Sequence, residues 1–209
     1  SPFSIEAAKL LNEIGVKMWK VASGEFYNKP LIEFLLKTKK PILLSTGMSS
    51  WKEIDKKIKL LEKYSQPKLI FQCTSQYPTP SKQIGISTIK QMKKRYKIPI
   101  GFSDHSGQLS SGIAAYVTGA VALEVHVTLS KNIYNYDLDS SLTMKELSEL
   151  TKGIRFLEEA LSKPIGKDLI AKKMKRMKSN FTCSIMFKKD MKKGDTINFS
   201  DLAFKKPGK

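Results

Sequence analysis

Hydrophobic and polar residues alternate along the chain in blocks that predict strands and helices in turn. Between candidate strands, apolar residues recur at the three- and four-residue steps of an amphipathic helix, most clearly over 144–162. Ser4 is the predicted N-cap of the first helix, and Ser49 or Ser50 that of the third. Runs rich in Val, Ile and Leu predict five strands, at 19–23, 41–46, 69–75, 98–103 and 120–129.

Polar side chains at the ends of these runs distinguish between two parallel architectures. In a (β/α)8 barrel the carboxyl ends of several strands share one active-site face. A doubly wound sheet instead uses one switch point, usually with a glycine-rich phosphate loop, which this sequence lacks. We therefore predict an α/β fold, a partial (β/α)8 TIM barrel. The polar strand ends are Lys20, Ser23, Ser45, Thr46, Thr74, Ser75, Ser103, His105, Glu124 and His126.

The pattern divides the chain into three segments. Residues 1–163 are the predicted partial barrel, residues 164–180 a basic linker, and residues 181–209 the beginning of a small second domain. Five strand–helix units do not close an eight-stranded barrel, and the chain begins without methionine. We expect about three further units to precede it.

Composition is that of a globular protein of 209 residues with 41% hydrophobic residues. No apolar run reaches the roughly 18 residues that span a bilayer, and no signal segment opens the chain. The two cysteines, Cys73 and Cys183, form no metal-spaced pair. These features predict a cytoplasmic protein without membrane contact.

A net charge of +18 raises the question of nucleic-acid binding. Only three of the 37 basic residues are arginine, the side chain that recognises bases and phosphates bidentately. We therefore interpret the lysines as solvated helix faces, and nucleic acid is not expected as a partner.

The two histidines of the chain, His105 and His126, end neighbouring runs 21 residues apart. That spacing fits one strand, one helix and the next strand, so the imidazoles are expected to meet at a metal or catalytic centre. Ligand chemistry alone would favour zinc or iron. Lys20, on an inner strand, requires an anionic partner.

Seven blocks of the sequence, in order, resemble the sialic acid synthase family, which comprises N-acetylneuraminate synthase and related nonulosonic acid synthases. The blocks are SPFS at 1–4, KVASGE at 20–25, LSTGM at 44–48, QCTSQYPTP at 72–80, GFSDHS at 101–106, EVHVT at 124–128, and Asp137 followed by Ser141 and Leu142. The chain departs from the family pattern at Leu138, where histidine is frequent, and at 135–136 and 181–183.

The resemblance implies a TIM barrel followed by an antifreeze-like (SAF) domain that begins near Ser184. It implies condensation of phosphoenolpyruvate with an N-acetylated hexosamine, such as N-acetylmannosamine, to give a nonulosonic acid and phosphate with C–O cleavage. The implied cofactor is a divalent metal, Mn2+ or Mg2+. A homodimer is implied for the full-length protein, so the isolated chain is expected to be inactive.

Strand positions and the resemblance together suggest roles for individual residues. Glu25, which follows Gly24 at the mouth of its strand, is the candidate acid or base together with Lys20. Glu124 lies two residues before His126, on the same strand face, and would orient the metal ligands His105 and His126. The implied phosphoenolpyruvate site comprises Ser1, Lys20, Ser23, Ser45 and Ser103, and the implied sugar site Ser75, Tyr77 and Asp137.

Two alternatives remain open at this point. The first is an aldolase in which Lys20 forms a Schiff base. The second is a non-catalytic, basic nucleic-acid-binding or degenerate fragment. Each serine by itself would more often cap a strand end, and Asp104, which alternates away from Ser103 and His105, would make a structural hydrogen bond.

Overall fold

The computed structural model describes residues 1–206, which contain eight strands and eight helices; the two alternate from α1 to β5. The strands are β1 (Trp19–Val21), β2 (Ile42–Ser45), β3 (Lys68–Cys73), β4 (Ile100–Asp104), β5 (Leu123–Thr128), β6 (Ser141–Thr143), β7 (Ser184–Phe187) and β8 (Leu202–Lys205). The helices are α1 (Ile5–Ile14), α2 (Lys29–Lys37), α3 (Trp51–Leu61), α4 (Ile86–Arg95), α5 (Leu109–Thr118), α6 (Met144–Ala160), α7 (Lys167–Lys173) and α8 (Lys175–Phe181).

Strands β1 to β6 form one parallel sheet in strict sequence order. This order is that of a curled barrel wall, because a doubly wound sheet reverses its order at a switch point. The predicted α/β fold is thereby confirmed, and the curled, parallel half-barrel of six strands is consistent with the predicted partial (β/α)8 barrel. The number of strands differs from the prediction: β6 pairs with β5 through His126 and Ser141 and makes a sixth.

Local signals fix where the helices begin and end. The Ser4 hydroxyl accepts a hydrogen bond from the Ala7 backbone N–H at the start of α1, as predicted. At α3 the Glu53 carboxylate accepts from both the backbone N–H and the hydroxyl of Ser50. Helix α1 ends at Gly15, whose φ of 87° suits a residue without a side chain.

The core lies between the sheet and its covering helices. On β1, Trp19 and Val21 are almost completely buried, and Lys20 between them faces the other side of the sheet. Leu35 of α2 and Ile89 of α4 are fully buried against the sheet layer. The alternation along the strands therefore separates an apolar outer face, covered by helices, from an inner face with polar side chains.

The described residues divide into two compact units, Ser1–Glu158 and a second that begins at Glu159. In the second unit, the segment predicted as a basic linker contains α7 and α8, and β7 pairs antiparallel with β8. The last three residues of the predicted small domain, 207–209, lie outside the described residues. No helix within residues 1–206 is long and apolar enough to cross a membrane.

Candidate active site

A cavity of about 510 Å³ opens at the carboxyl ends of the half-barrel strands. Strand register places its residues at similar heights, since Cys73 is level with Ser103 and Ser103 with Glu124. Ten of the twelve site residues predicted from the sequence line this cavity: Ser1, Lys20, Ser23, Ser45, Ser75, Tyr77, Ser103, His105, Glu124 and His126.

Lys20 provides the positive charge on one side of the cavity. Its Nζ donates to Ser45 Oγ at 2.7 Å and lies 3.1 Å from Glu124 Oε2. The contact between Lys20 and Glu124 is an ion pair without hydrogen-bond geometry. Glu124 Oε2 therefore accepts no hydrogen bond. The Lys20 side chain is 19% exposed and the Glu124 side chain 40%, so both are within reach of a ligand from the cavity.

Gly47 allows three polar side chains to converge at the base of the cavity. Its backbone N–H donates to Ser23 Oγ at 3.0 Å. A Cβ at this position would lie 2.8 Å from both Ser23 Oγ and Cys73 Sγ and closer still to Ser75 Oγ. The absence of a side chain at Gly47 is therefore a packing requirement of this site.

His105 is held in one orientation by its two nitrogens. Its Nδ1 lies 2.7 Å from the Thr74 carbonyl oxygen, a contact that requires the proton on Nδ1. The lone pair of Nε2 then faces Tyr77, whose hydroxyl lies 3.0 Å away and donates to it. The strand-end carbonyl thus fixes the tautomer that presents Nε2 to the cavity.

His126 lies beside His105, with 5.1 Å between the ring centroids. Its Nδ1 is 3.3 Å from Oδ2 of Asp137, which is carried by the loop that follows β5. Asp137 itself does not line the cavity. Residues 1–206 contain no group of three or more His, Cys, Asp or Glu side chains arranged to hold a metal. Ligands of these four residue types for a cation at the imidazole pair would therefore number two.

Cys73 lines the cavity and was missed by the sequence analysis. Its Sγ lies 3.6 Å from Ser23 Oγ and 3.9 Å from His105 Nδ1. Burial raises the pKa of this thiol, but the contacts with His105, Ser23 and Ser75 outweigh it and bring the pKa below its ordinary value. The available signal was the alternation of residues 73 and 75, which places both side chains on one strand face.

Burial and neighbouring groups also shift the pKa values of two further residues. Burial lowers the pKa of His105, but its contacts with Cys73 and the Thr74 carbonyl raise that pKa to above its ordinary value. Burial raises the pKa of Tyr77, and the negative charges of Cys73, Asp137 and Glu124 add to the effect. Tyr77 is thereby kept as a neutral hydrogen-bond donor.

Two carboxylates lie away from the cavity. Glu25 ends a short 3-10 turn, Ser23–Glu25, and its Oε2 accepts a hydrogen bond from Asn28 at 2.6 Å. Asp104 is 4% exposed and accepts from the backbone and hydroxyl of Ser106 and from Ser111. The structural role predicted for Asp104 agrees with these contacts.

The strand order and the polar strand ends are those of a described protein family. The model of the NeuB family matches residues 1–166, which include every residue that lines the cavity. The chain belongs to the NeuB family. This confirms the resemblance to sialic acid synthases found in the sequence.

Relatives of this NeuB chain are named as synthases of sialic-type acids. The N,N'-diacetyllegionaminic acid synthase of Campylobacter jejuni is 34% identical over 211 residues, covering 99% of this chain and 62% of that protein. The human N-acetylneuraminate-9-phosphate synthase is 33% identical over 159 residues, covering 76% of this chain and 44% of that protein.

A crystal structure has the same fold. The N-acetylneuraminic acid (sialic acid) synthetase of Leptospira borgpetersenii, in complex with citrate, superimposes with a TM-score of 0.76 at 27% identity. The match covers 86% of this chain and 64% of that one. The NeuB chain thus spans less than two thirds of the length of these relatives.

Proposed function

We propose that the chain forms part of a synthase that condenses phosphoenolpyruvate with an N-acetylated hexosamine, such as N-acetylmannosamine. C3 of phosphoenolpyruvate attacks the aldehyde carbon of the open-chain sugar, and water adds at C2. The C2–O bond to phosphate then breaks, which yields a nonulosonic acid and inorganic phosphate. One observation carries the proposal: an ammonium group with hydroxyls and a pair of imidazoles line the same cavity.

The ammonium side suits phosphoenolpyruvate. Lys20 Nζ offers a point charge to the phosphate or carboxylate, and the hydroxyls of Ser23, Ser45 and Ser103 offer directional donors. Ser1 also lines this region and is held by a hydrogen bond from its hydroxyl to the Lys20 carbonyl. These groups come from neighbouring strands, as in other barrel phosphate sites.

The imidazole side suits a divalent cation, Mn2+ or Mg2+. The His105 tautomer leaves the lone pair on Nε2, so this nitrogen could act as a ligand once the Tyr77 hydroxyl gives up its hydrogen bond. Two imidazole ligands would leave positions for water and substrate. A cation held by His105 and His126 would supply Lewis-acid stabilisation of negative charge that develops on the sugar aldehyde. Tyr77 contacts His105, Asp137 contacts His126, and Ser75 lines the same cavity. These three side chains would exchange hydrogen bonds with the sugar hydroxyls.

Glu124 is the carboxylate best placed to exchange a proton with the reactants. It lines the cavity beside Ser103, its partner on the neighbouring strand, whereas Glu25 is outside the lining and bonded to Asn28. The role of Glu25 as acid or base is therefore supported only by its position in the sequence, just after the first strand. Glu124 also contacts Lys20 and lies two residues before His126, on the same strand face.

Phosphoenolpyruvate binding by the 209-residue chain tests the cavity directly. Titration calorimetry with the Lys20→Met variant is expected to give at least tenfold weaker binding, because the charge-assisted contact is lost. Lys90→Met, on the exposed face of α4, is the matched control and should bind normally. Equal binding by Lys20→Met and the wild-type chain would contradict the assignment.

The reaction type is tested with phosphoenolpyruvate labelled with 18O at the bridging oxygen. C–O cleavage sends the label into phosphate, and recovery of the label in the keto acid would contradict the mechanism. We infer that residues 1–209 are inactive alone, because β1 and β6 are open edges of the described sheet and leave the cavity open on one side. Rapid turnover by the purified chain would contradict that inference.

The aldolase alternative has less support at Lys20. A Schiff base requires a free amine, whereas Lys20 Nζ is engaged by Ser45 and Glu124. Borohydride treatment with pyruvate is expected to leave the mass of the chain unchanged. Stable addition of pyruvate at Lys20 would favour the aldolase instead.

A further inference from the structure

The loop between β5 and β6, residues 129–140, carries Asp137 to His126. Its large side chains contribute little to holding it, since Leu129, Tyr134 and Tyr136 are 84%, 82% and 91% exposed. A loop whose apolar side chains are mostly exposed retains many conformations unless polar contacts select one. The position of Asp137 therefore depends on the hydrogen bonds within the loop.

Lys131 makes the contacts that close this loop. Its Nζ donates to the Leu138 carbonyl at 2.9 Å and to the Ser141 carbonyl at 2.6 Å. Both are charge-assisted hydrogen bonds, which are stronger than neutral ones. The two carbonyls lie on the C-terminal side of Asp137, one and four residues after it, so Lys131 ties the start of the loop to the segment that carries the carboxylate.

The backbone of Asp137 is held at both its polar groups within this closed loop. Its N–H donates to Asn135 Oδ1 at 3.1 Å, and its carbonyl accepts from the Ser141 hydroxyl at 2.7 Å. Oδ2 of the same residue then lies 3.3 Å from His126 Nδ1. A carboxylate beside one imidazole nitrogen favours the tautomer with the proton on that nitrogen, which leaves the lone pair on the other.

We propose that Lys131 is a positioning residue, which closes the β5–β6 loop so that Asp137 holds His126 with its second nitrogen toward the cavity. Lys131 does not line the cavity, so it acts through Asp137 and not on a ligand. The inference rests on the proposed function only for its consequence, the affinity of the imidazole pair for a cation. The arrangement itself is testable without any ligand.

The test uses the fact that His105 and His126 are the only histidines. Long-range 1H–15N spectra of the imidazole rings, at pH 8.5 without metal, report the tautomer of each. Lys131→Met is expected to move the His126 signals toward a mixture of tautomers and to leave those of His105 in place, which also shows that the half-barrel remains folded. Lys90→Met should move neither, and Ser141→Ala, which removes a second contact to Asp137, should move His126 in the same direction.

Three outcomes would overturn the proposal. The first is unchanged His126 signals in both Lys131→Met and Ser141→Ala, and the second is an equal change in Lys90→Met. The third is a further change in the His126 signals when Lys131→Met is added to Asp137→Asn.

The consequence for the cation site is measured as Mn2+ affinity. This affinity should fall about tenfold in Lys131→Met, the loss found when groups that orient metal ligands are removed. If His126 shifts as expected but the wild-type chain binds no Mn2+, the positioning role stands and the proposed cation site fails.

Discussion

Lys20 and Glu124 neutralise each other across the cavity, and this pairing affects how an anion can bind. The Lys20 ammonium lies 3.1 Å from a carboxylate that is 40% exposed and 2.7 Å from the Ser45 hydroxyl. An incoming phosphate or carboxylate must compete with Glu124 for the same charge. A cation near the imidazoles, in contrast, is favoured by the same glutamate.

Replacing Glu124 by Gln should therefore shift the two affinities in opposite directions. Phosphoenolpyruvate binding is expected to strengthen several-fold, because Lys20 loses its competing carboxylate, and Mn2+ binding is expected to weaken. Titration calorimetry with each ligand measures both effects. Glu25→Gln is the matched control, since Glu25 is outside the cavity lining and should leave both affinities within about twofold. Weaker phosphoenolpyruvate binding by Glu124→Gln would contradict this account.

Gly47 offers a second residue-scale test. An added methyl group would lie 2.8 Å from Ser23 Oγ and Cys73 Sγ, so Gly47→Ala is expected to destabilise the half-barrel by about 1–3 kcal/mol. Phosphoenolpyruvate binding should also weaken, because Ser23 must move. Gly24→Ala is the control, since its added Cβ would meet nothing within 4 Å. Equal stability of the two variants in urea would contradict the close packing.

At the scale of elements, α3 and α4 are joined by a surface cluster at Asp55. Its carboxylate accepts two hydrogen bonds from Arg95, at 2.8 and 2.6 Å, and one from the Tyr96 hydroxyl at 2.8 Å. These contacts lower the pKa of Asp55 from 3.8 to about 2, and the hydrogen bonds from Arg95 have the largest effect. Because the folded-state pKa lies below the unfolded one, the cluster stabilises the fold above about pH 4 and ceases to do so as the pH falls through about 2.

Asp55→Asn should therefore lower the urea midpoint at pH 6, and its difference from wild type should shrink between pH 4 and pH 2. The fluorescence of Trp19 and Trp51, the only tryptophans, reports on the first unit alone. Glu62→Gln, at the exposed end of α3, is the control and should show no such convergence. A difference that stays constant down to pH 2 would rule out the Asp55 contribution.

The elements show what sequence reasoning can reach. Five strands and the helix that became α6 were predicted because each has a repeated apolar spacing. Strand β6 was missed because it has three residues, of which Leu142 is the only apolar one. The positions of Glu25 and Asp137 relative to the cavity depend on a turn and a loop, whose geometry side-chain spacing does not encode.

At the scale of the whole molecule, the net charge of +18 could serve ligand binding or could be a solvated surface charge, and the two behave differently in salt. The cavity uses one lysine, Lys20, while about half of the others are on exposed positions of the helices. A diffuse surface charge attracts any polyanion weakly through counterion release, and this attraction falls steeply with salt. A ligand held by a mostly buried lysine is screened much less.

These two behaviours separate the synthase from a basic nucleic-acid-binding module. We expect a DNA duplex to bind the chain at 50 mM salt and to be released at 200 mM, while phosphoenolpyruvate affinity changes by only a few-fold. Fluorescence anisotropy of a labelled duplex and calorimetry measure the two. Lys20→Met should weaken phosphoenolpyruvate binding and leave duplex binding as it was, because Lys20 is 19% exposed and lies inside the cavity. Duplex binding that persists at 200 mM salt, or that phosphoenolpyruvate displaces, would instead favour the nucleic-acid alternative.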